Sequence, residues 1–202
     1  MSAGTPLLVA SLLSLERGGR QLFSELSFEA CPGELWQIVG DNGSGKTSLL
    51  RILAGLCRYG FDGRVARTSL PLYLGHLSAV KGLLTPRENL AWHIAGESEY
   101  SAARIESALA SVGLYGYEDV PSHTLSAGQH RRVNLARLYL SDAPLWLLDE
   151  PFTAIDRQGV AALETLIETH VAEGGSVLLS SHQPLAVACP VRQLALPSGA
   201  IQ

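Results

Sequence analysis

Gly40-Asp41-Asn42-Gly43-Ser44-Gly45-Lys46-Thr47 decides how the rest of this chain is read. It fits G-x-x-x-x-G-K-[ST] in full. Gly40, Gly43 and Gly45 admit backbone conformations that a side chain would forbid, so successive N–H groups turn inward around an anion. A helix beginning at about Gly45 adds the partial positive charge of its N-terminus. Lys46 is suited to reach the β- and γ-phosphates of a nucleotide, and the Thr47 hydroxyl to ligate Mg²⁺. Asp41, Asn42, Ser44 and Ser48 complete the candidate nucleotide-binding loop. The context fits: Glu34–Val39 is a short, mostly apolar strand, and a helix is expected from about Gly45 to Ala54, stopping at Gly55.

Outward from the loop, strands alternate with helices, which predicts an α/β fold with a parallel sheet. Upstream, Leu7–Glu16 and Leu22–Phe28 read as two strands joined by the turn Arg17-Gly18-Gly19-Arg20. In the second, Leu22, Ser24, Leu26 and Phe28 are expected on one face, with Phe23, Glu25 and Ser27 on the other. Tyr73-Leu74 is a short strand. The middle third is helical: Thr85-Pro86-Arg87-Glu88 carries a hydroxyl N-cap, a first-turn proline and a capping-box glutamate. Ser101–Val112 is a second helix closed by Gly113, and a third runs from near Ser126 to about Leu140. Leu145–Leu148 is apolar on both faces, as a buried parallel strand should be. Asp156 can cap a long helix to about Ala172, and Ser176–Ser180 and Leu194–Leu196 are further strands.

Composition sets bounds. The chain has 202 residues, 47% hydrophobic and 17% charged, with a net charge of −4. That excludes disorder and argues against a strongly basic nucleic-acid binder. Met1–Thr5 carries no positive charge before the apolar Leu7–Ala10, and no run is long enough to span a membrane, so a soluble chain without a leader is expected. The 3 cysteines, Cys31, Cys57 and Cys189, form no C-x-x-C pair and read as buried, reduced thiols.

Two further constellations bear on chemistry. Leu145–Leu148 delivers Asp149-Glu150 at the C-terminal end of its strand, the edge where open α/β sheets bind ligands. There Asp149 suits Mg²⁺ coordination through water, and Glu150 suits general-base activation of an attacking water. Leu125-Ser126-Ala127-Gly128-Gln129 opens a helix bearing Arg131, Arg132 and Arg137. Ser126 offers a hydroxyl, Gly128 permits close approach, and the helix start favours a second anion.

The order of phosphate loop, Leu-Ser-Ala-Gly-Gln and then Leu-Leu-Asp-Glu-Pro resembles that of ABC-transporter ATPases, over essentially the whole chain. The resemblance implies a P-loop NTPase fold with a RecA-like parallel core sheet, an N-terminal antiparallel hairpin and an inserted helical subdomain. It implies a single domain over residues 1–202, with a core at 1–76 and 143–202 and the helical part at about 77–142. It further implies ATP and Mg²⁺ as cofactors and a head-to-tail homodimer in which Ser126 and Gly128 of one copy meet the γ-phosphate held by the other. Thr153-Ala154-Ile155-Asp156 resembles the family's partner-touching loop, and His182 its switch histidine, a catalytic position beside Glu150. Two positions depart from the pattern. His76 stands where the family usually places a metal-ligating glutamine, and Arg17 stands where an aromatic usually stacks on adenine, a contact that a guanidinium can also make.

Longer strings, among them Tyr73-Leu74-Gly75-His76 and Pro144–Thr153, resemble the ATP-binding subunits of bacterial cytochrome c maturation systems. That implies a peripheral position on the cytoplasmic face of the inner membrane, with CcmB-like integral subunits and CcmC- and CcmD-like companions. ATP hydrolysis would be coupled to haem export, or to haem release to a periplasmic chaperone, with no nucleic-acid partner. Two alternatives stay open: a nucleotide-gated interaction module with low hydrolysis, and the ATPase of another ABC exporter.

Overall fold

The computed structural model describes residues 5–94 and 101–196; the reading of residues 1–4 lies outside them. Its described residues fall into two compact units, one drawn from residues 5–76, 143–151 and 161–196, the other from residues 77–94, 101–142 and 152–160.

The first unit carries two sheets. Strands β1 (Leu8–Arg17) and β2 (Arg20–Ala30) form an antiparallel hairpin. Gly18 and Gly19 turn it with φ of 57° and 74°, the pair of positive values that a two-residue type I′ turn demands. β3 (Leu35–Val39) leads through the glycine loop into α1 (Lys46–Leu53). β4 (Asp62–Arg67) then pairs with the free edge of β1, so the hairpin becomes a three-stranded sheet in the order β2-β1-β4. Gly63 is needed there, because a Cβ on it would meet the Leu12 carbonyl oxygen at 2.5 Å.

The expected split of faces in the second strand fails. Leu12 and Glu25 both take φ of 50°, and the β1–β2 register slips on either side of Leu13↔Leu26. Such bulges turn the following side chains over. Phe23 is buried in the core, and Leu22, Leu26 and Phe28 pack against the same cluster.

The second sheet is wholly parallel. It is completed by β5 (Leu72–Leu74), β6 (Leu145–Asp149), β7 (Ser176–Ser180) and β8 (Val191–Ala195), in the order β5-β6-β7-β3-β8. β6 and β7 are buried at every residue, which explains their unbroken apolar sequence. Leu49, Leu50 and Leu53 of α1 join Ile38, Leu147 and Leu178 in one core, each leucine contributing roughly 1.5–3 kcal/mol by leaving water.

The second unit is helical. Thr85 and Glu88 exchange the two bonds of a capping box at the head of α2 (Pro86–Ile94). Ser101 caps α3 (Ala102–Ser111). α4 (Ala127–Ala136) tightens into a 3₁₀ turn at Arg137–Tyr139. Leu90, Leu109, Leu114 and Val133 form its core. Asp156 caps α5 (Arg157–Ala172), whose residues from Ala161 onward belong to the first unit, by accepting the Gly159 N–H at 2.8 Å. No helix among the described residues is long and apolar enough to cross a membrane. All three cysteines are free and half-buried rather than fully buried.

Candidate functional site

The glycine loop lies at the C-terminal end of β3. Gly40, Gly43 and Gly45 take φ of 152°, 82° and 102°, values that side chains strongly disfavour. Space is short as well: a Cβ on Gly40 would lie 2.7 Å from Ser44 Oγ, and one on Gly45 would lie 3.2 Å from Leu22 Cβ. Gly45 caps α1 without a side-chain bond, and the Leu49 N–H donates to the Gly45 carbonyl oxygen at 2.8 Å. The N–H groups of Lys46, Thr47 and Ser48 precede that bond and are the orphan donors of a helix start.

Two features of the loop fit an anion. The buried Lys46 ammonium donates to the carbonyl oxygens of Gly40 at 2.7 Å and Asp41 at 3.1 Å. Among the described residues it forms no salt bridge, so a buried cation stands without a counter-charge, an arrangement that an incoming phosphate relieves. Ser44 Oγ is buried with no hydrogen-bond partner. A buried hydroxyl left unmatched is costly, and a ligand oxygen would satisfy it.

The acidic pair sits on the neighbouring strands. Thr47 Oγ1 donates to Asp149 Oδ1 at 3.1 Å, and Ser180 Oγ donates to the same oxygen at 2.8 Å. Asp149 opposes Ser180 in the β6–β7 register, which is why the two meet. Ser180 Oγ also accepts the Glu150 N–H at 2.9 Å. Glu150 sits at φ 49°, an uncommon conformation for a residue with a side chain. Its Oε1 lies 3.4 Å from His182 Nε2. One hydroxyl thus steadies both carboxylate residues, and the sequence reading missed it. The available signal was a hydroxyl ending an otherwise apolar strand.

In the helical unit, Ser126 and Gln129 form a capping box. Ser126 Oγ accepts the Gln129 N–H at 3.2 Å, and the Ser126 N–H donates to Gln129 Oε1 at 2.9 Å. An accepting hydroxyl keeps its own proton free to donate. Gly128 is required by proximity, since a Cβ there would lie 3.2 Å from the Ala154 carbonyl oxygen. Arg132 pairs with Asp156 at 2.7 Å. Arg137 is instead buried, its guanidinium donating to Asn134 Oδ1 at 2.7 Å, and burial pulls its pKa down to about 10.

The loop 40–48 therefore meets Asp149, Glu150 and His182 at one sheet edge. Ser126 and Gly128 belong to the other unit. His76 is exposed just beyond β5, and Arg17 is exposed at the end of β1. A metal can be held by the Thr47 hydroxyl and the Asp149 carboxylate, a hard oxygen pair of the kind Mg²⁺ uses beside phosphates. Among the described residues no cluster of three or more His, Cys, Asp or Glu is poised to hold a metal by itself.

Comparison with known proteins places the chain in a family. A model of the ABC transporter family matches residues 23–153. The cytochrome c biogenesis ATP-binding export protein CcmA of Pseudomonas savastanoi pv. phaseolicola is 49% identical, with 92% of each chain covered. The protein of that name from Yersinia pseudotuberculosis is 50% identical, covering 94% of this chain and 93% of its own. Among solved structures, a putative ABC transporter ATP-binding protein from Pyrococcus furiosus superposes with a TM-score of 0.79 at 24% identity, over 94% of this chain and 96% of its own. That likeness establishes the fold. The chain belongs to the ABC transporter family, as an ATP-hydrolysing subunit in the group of the CcmA proteins.

Proposed function

We propose that this chain hydrolyses ATP with Mg²⁺ at a site completed by a second copy, and that it drives a membrane complex serving haem delivery in cytochrome c biogenesis. The observation that carries the reading is the unmatched pair in the loop, a buried Lys46 ammonium without a salt bridge and a buried Ser44 hydroxyl without a partner.

Residues 40–48 wrap the β- and γ-phosphates, with Lys46 drawn from the loop carbonyls onto their charge. Thr47 and Asp149 would hold Mg²⁺, which would supply positive charge against the phosphates. Glu150 takes a proton from the in-line water, a contribution of about 10²–10⁴-fold. His182 stands against Glu150 and contacts the terminal phosphate. Arg17 would stack on the base, and His76 would reach toward a metal-held water. Ser126 and Gly128 act on the nucleotide of the partner copy. There the capped helix start and the free hydroxyl proton of Ser126 favour the γ-phosphate.

The printed names of the CcmA relatives describe ATP-binding export in cytochrome c biogenesis, which supports a membrane complex; the haem role rests on the resemblance of the sequence to cytochrome c maturation ATPases. The partner subunits expected are integral, CcmB-like, with CcmC- and CcmD-like companions, at the cytoplasmic face of the inner membrane. Affinity purification from native membranes tests the assembly. Phosphate release by the purified complex tests the chemistry. Lys46→Ala is expected to lose nucleotide binding and turnover together; full hydrolysis by that variant contradicts the assignment.

A further inference from the structure

Gln37 stands in the middle of β3 and is buried. In register it faces Leu179 of β7 and Gln193 of β8. An apolar residue is the ordinary occupant of such a strand, because a buried amide is costly unless it is bonded. This amide is bonded, and to one place only among the contacts resolved for it. Its Nε2 donates to the Ser181 carbonyl oxygen at 3.3 Å and to the Gln183 carbonyl oxygen at 3.2 Å, the two residues that bracket His182. Ser181 Oγ reinforces the turn, donating to the Gln183 oxygen at 3.1 Å and accepting the Gln183 N–H at 3.0 Å.

The His182 side chain is itself 54% exposed, so the imidazole can turn while its backbone is tied on both flanks. Packing does not tie it: the loop borders an open cleft of about 480 Å³ lined by Gln37, His182, Pro184, Leu185 and Gln193. β3 also delivers the glycine loop at its end, so one strand anchors both the phosphate-binding loop and the segment carrying His182.

We propose that Gln37 is a positioning residue whose amide clamps the carbonyls on either side of His182 and so sets where the imidazole stands against Glu150 and the terminal phosphate. The proposal deepens the reading of His182 given above and depends on it. Gln37 lies outside the phosphate loop, and its resolved side-chain bonds go to the 181–183 turn. Its loss moves His182 without removing any phosphate contact, so it lowers turnover and spares ATP affinity.

The test uses the full chain, purified with the membrane proteins that accompany it, in four forms: unaltered, Gln37→Met, Gln37→Glu and His182→Ala. Gln37→Met keeps the side-chain length and removes the donor. It is expected to lower kcat between about ten- and a hundredfold, with KM for ATP within about twofold, the cost of a small misplacement at a reacting centre. Amide hydrogen exchange is expected to quicken at 181–183 and to stay unchanged along β3. Gln37→Glu cannot donate while ionised and donates once protonated. Burial raises the pKa of such a carboxyl, so its kcat relative to the unaltered chain is expected to climb as pH falls from 8 to 6. Unaltered kcat and unchanged exchange in Gln37→Met overturn the proposal. Exchange that rises uniformly across the sheet, lost ATP affinity or a flat pH ratio in Gln37→Glu also overturn it, since each makes Gln37 a core residue only. Unaltered turnover in His182→Ala instead overturns the role given to His182, a failure distinct from that of the clamp.

Discussion

Thr47 Oγ1 donates to Asp149 Oδ1 at 3.1 Å, closing 102 residues of chain onto one point. The bond joins the first turn of α1 to the end of β6, and Ser180 Oγ reaches the same carboxylate oxygen from β7. A hydroxyl and a carboxylate held together before any ligand arrives form a preset pair of hard oxygen donors. Thr47→Ala removes one donor and leaves Asp149 bonded to Ser180. It is expected to raise the Mg²⁺ concentration needed for half-maximal hydrolysis by about 10–100-fold, whereas Thr47→Ser is expected to stay within a few-fold. Titration of phosphate release against Mg²⁺ checks both.

Ser126 separates two roles that a single substitution would confound. Its Oγ already caps α4. Ser126→Ala loses the cap and is expected to cost about 1 kcal/mol of stability in urea unfolding, along with hydrolysis. Ser126→Asp is a good cap and is expected to leave stability nearly unchanged. Its carboxylate would face a γ-phosphate across the pair of copies, so hydrolysis is expected to fall by at least about a hundredfold, on the scale of losing one charge-stabilising donor. Hydrolysis at the normal rate in Ser126→Asp would show that no phosphate approaches this helix.

The phosphate loop, the acidic pair and the capped helix were readable because each is local: spacing, glycine placement and a strand before or a helix after suffice. β4 was not. Asp62-Gly63-Arg64-Val65-Ala66-Arg67 contains Asp and Gly, residues depleted in strands, and buries little; only the open edge of β1 makes it a strand. The bulges at Leu12 and Glu25 were equally hidden, since neither residue type announces a positive φ. The approach of His182 to Glu150 depends on β6 and β7 being neighbours, a fact of topology rather than of either segment. Gln37 was read as part of an apolar strand because its partners lie 144 and 146 residues away.

His170 makes stability depend on pH. Its ring stacks on Trp146, centroids 3.7 Å apart and planes within 6°. Burial holds its pKa below the ordinary value, opposed by a hydrogen bond with the Pro144 backbone and by Glu173. The unfolded imidazole titrates near 6.5. Between that value and the lower folded one, the unfolded chain carries a proton that the folded chain refuses. The His170 contribution is therefore complete above about pH 6.5 and is lost as pH falls toward the folded value. Melting temperature is expected to drop on acidification below 6.5, and His170→Phe is expected to flatten that part of the profile. Gly175→Ala is expected to lower the melting temperature at every pH, because a Cβ there would lie 2.2 Å from His170 Nε2.

The central claim is that one chain supplies a phosphate loop and Glu150 to a nucleotide, and that a second copy completes the site with Ser126. Glu150→Gln keeps the loop and Lys46 intact while removing the base. Sedimentation of this variant with ATP and Mg²⁺, read together with the bound nucleotide, tests the claim most directly. The account predicts a dimer that holds uncleaved ATP and reverts to monomer when Ser126→Asp is added. A variant that binds ATP as a monomer, or that releases phosphate at the unaltered rate, contradicts it.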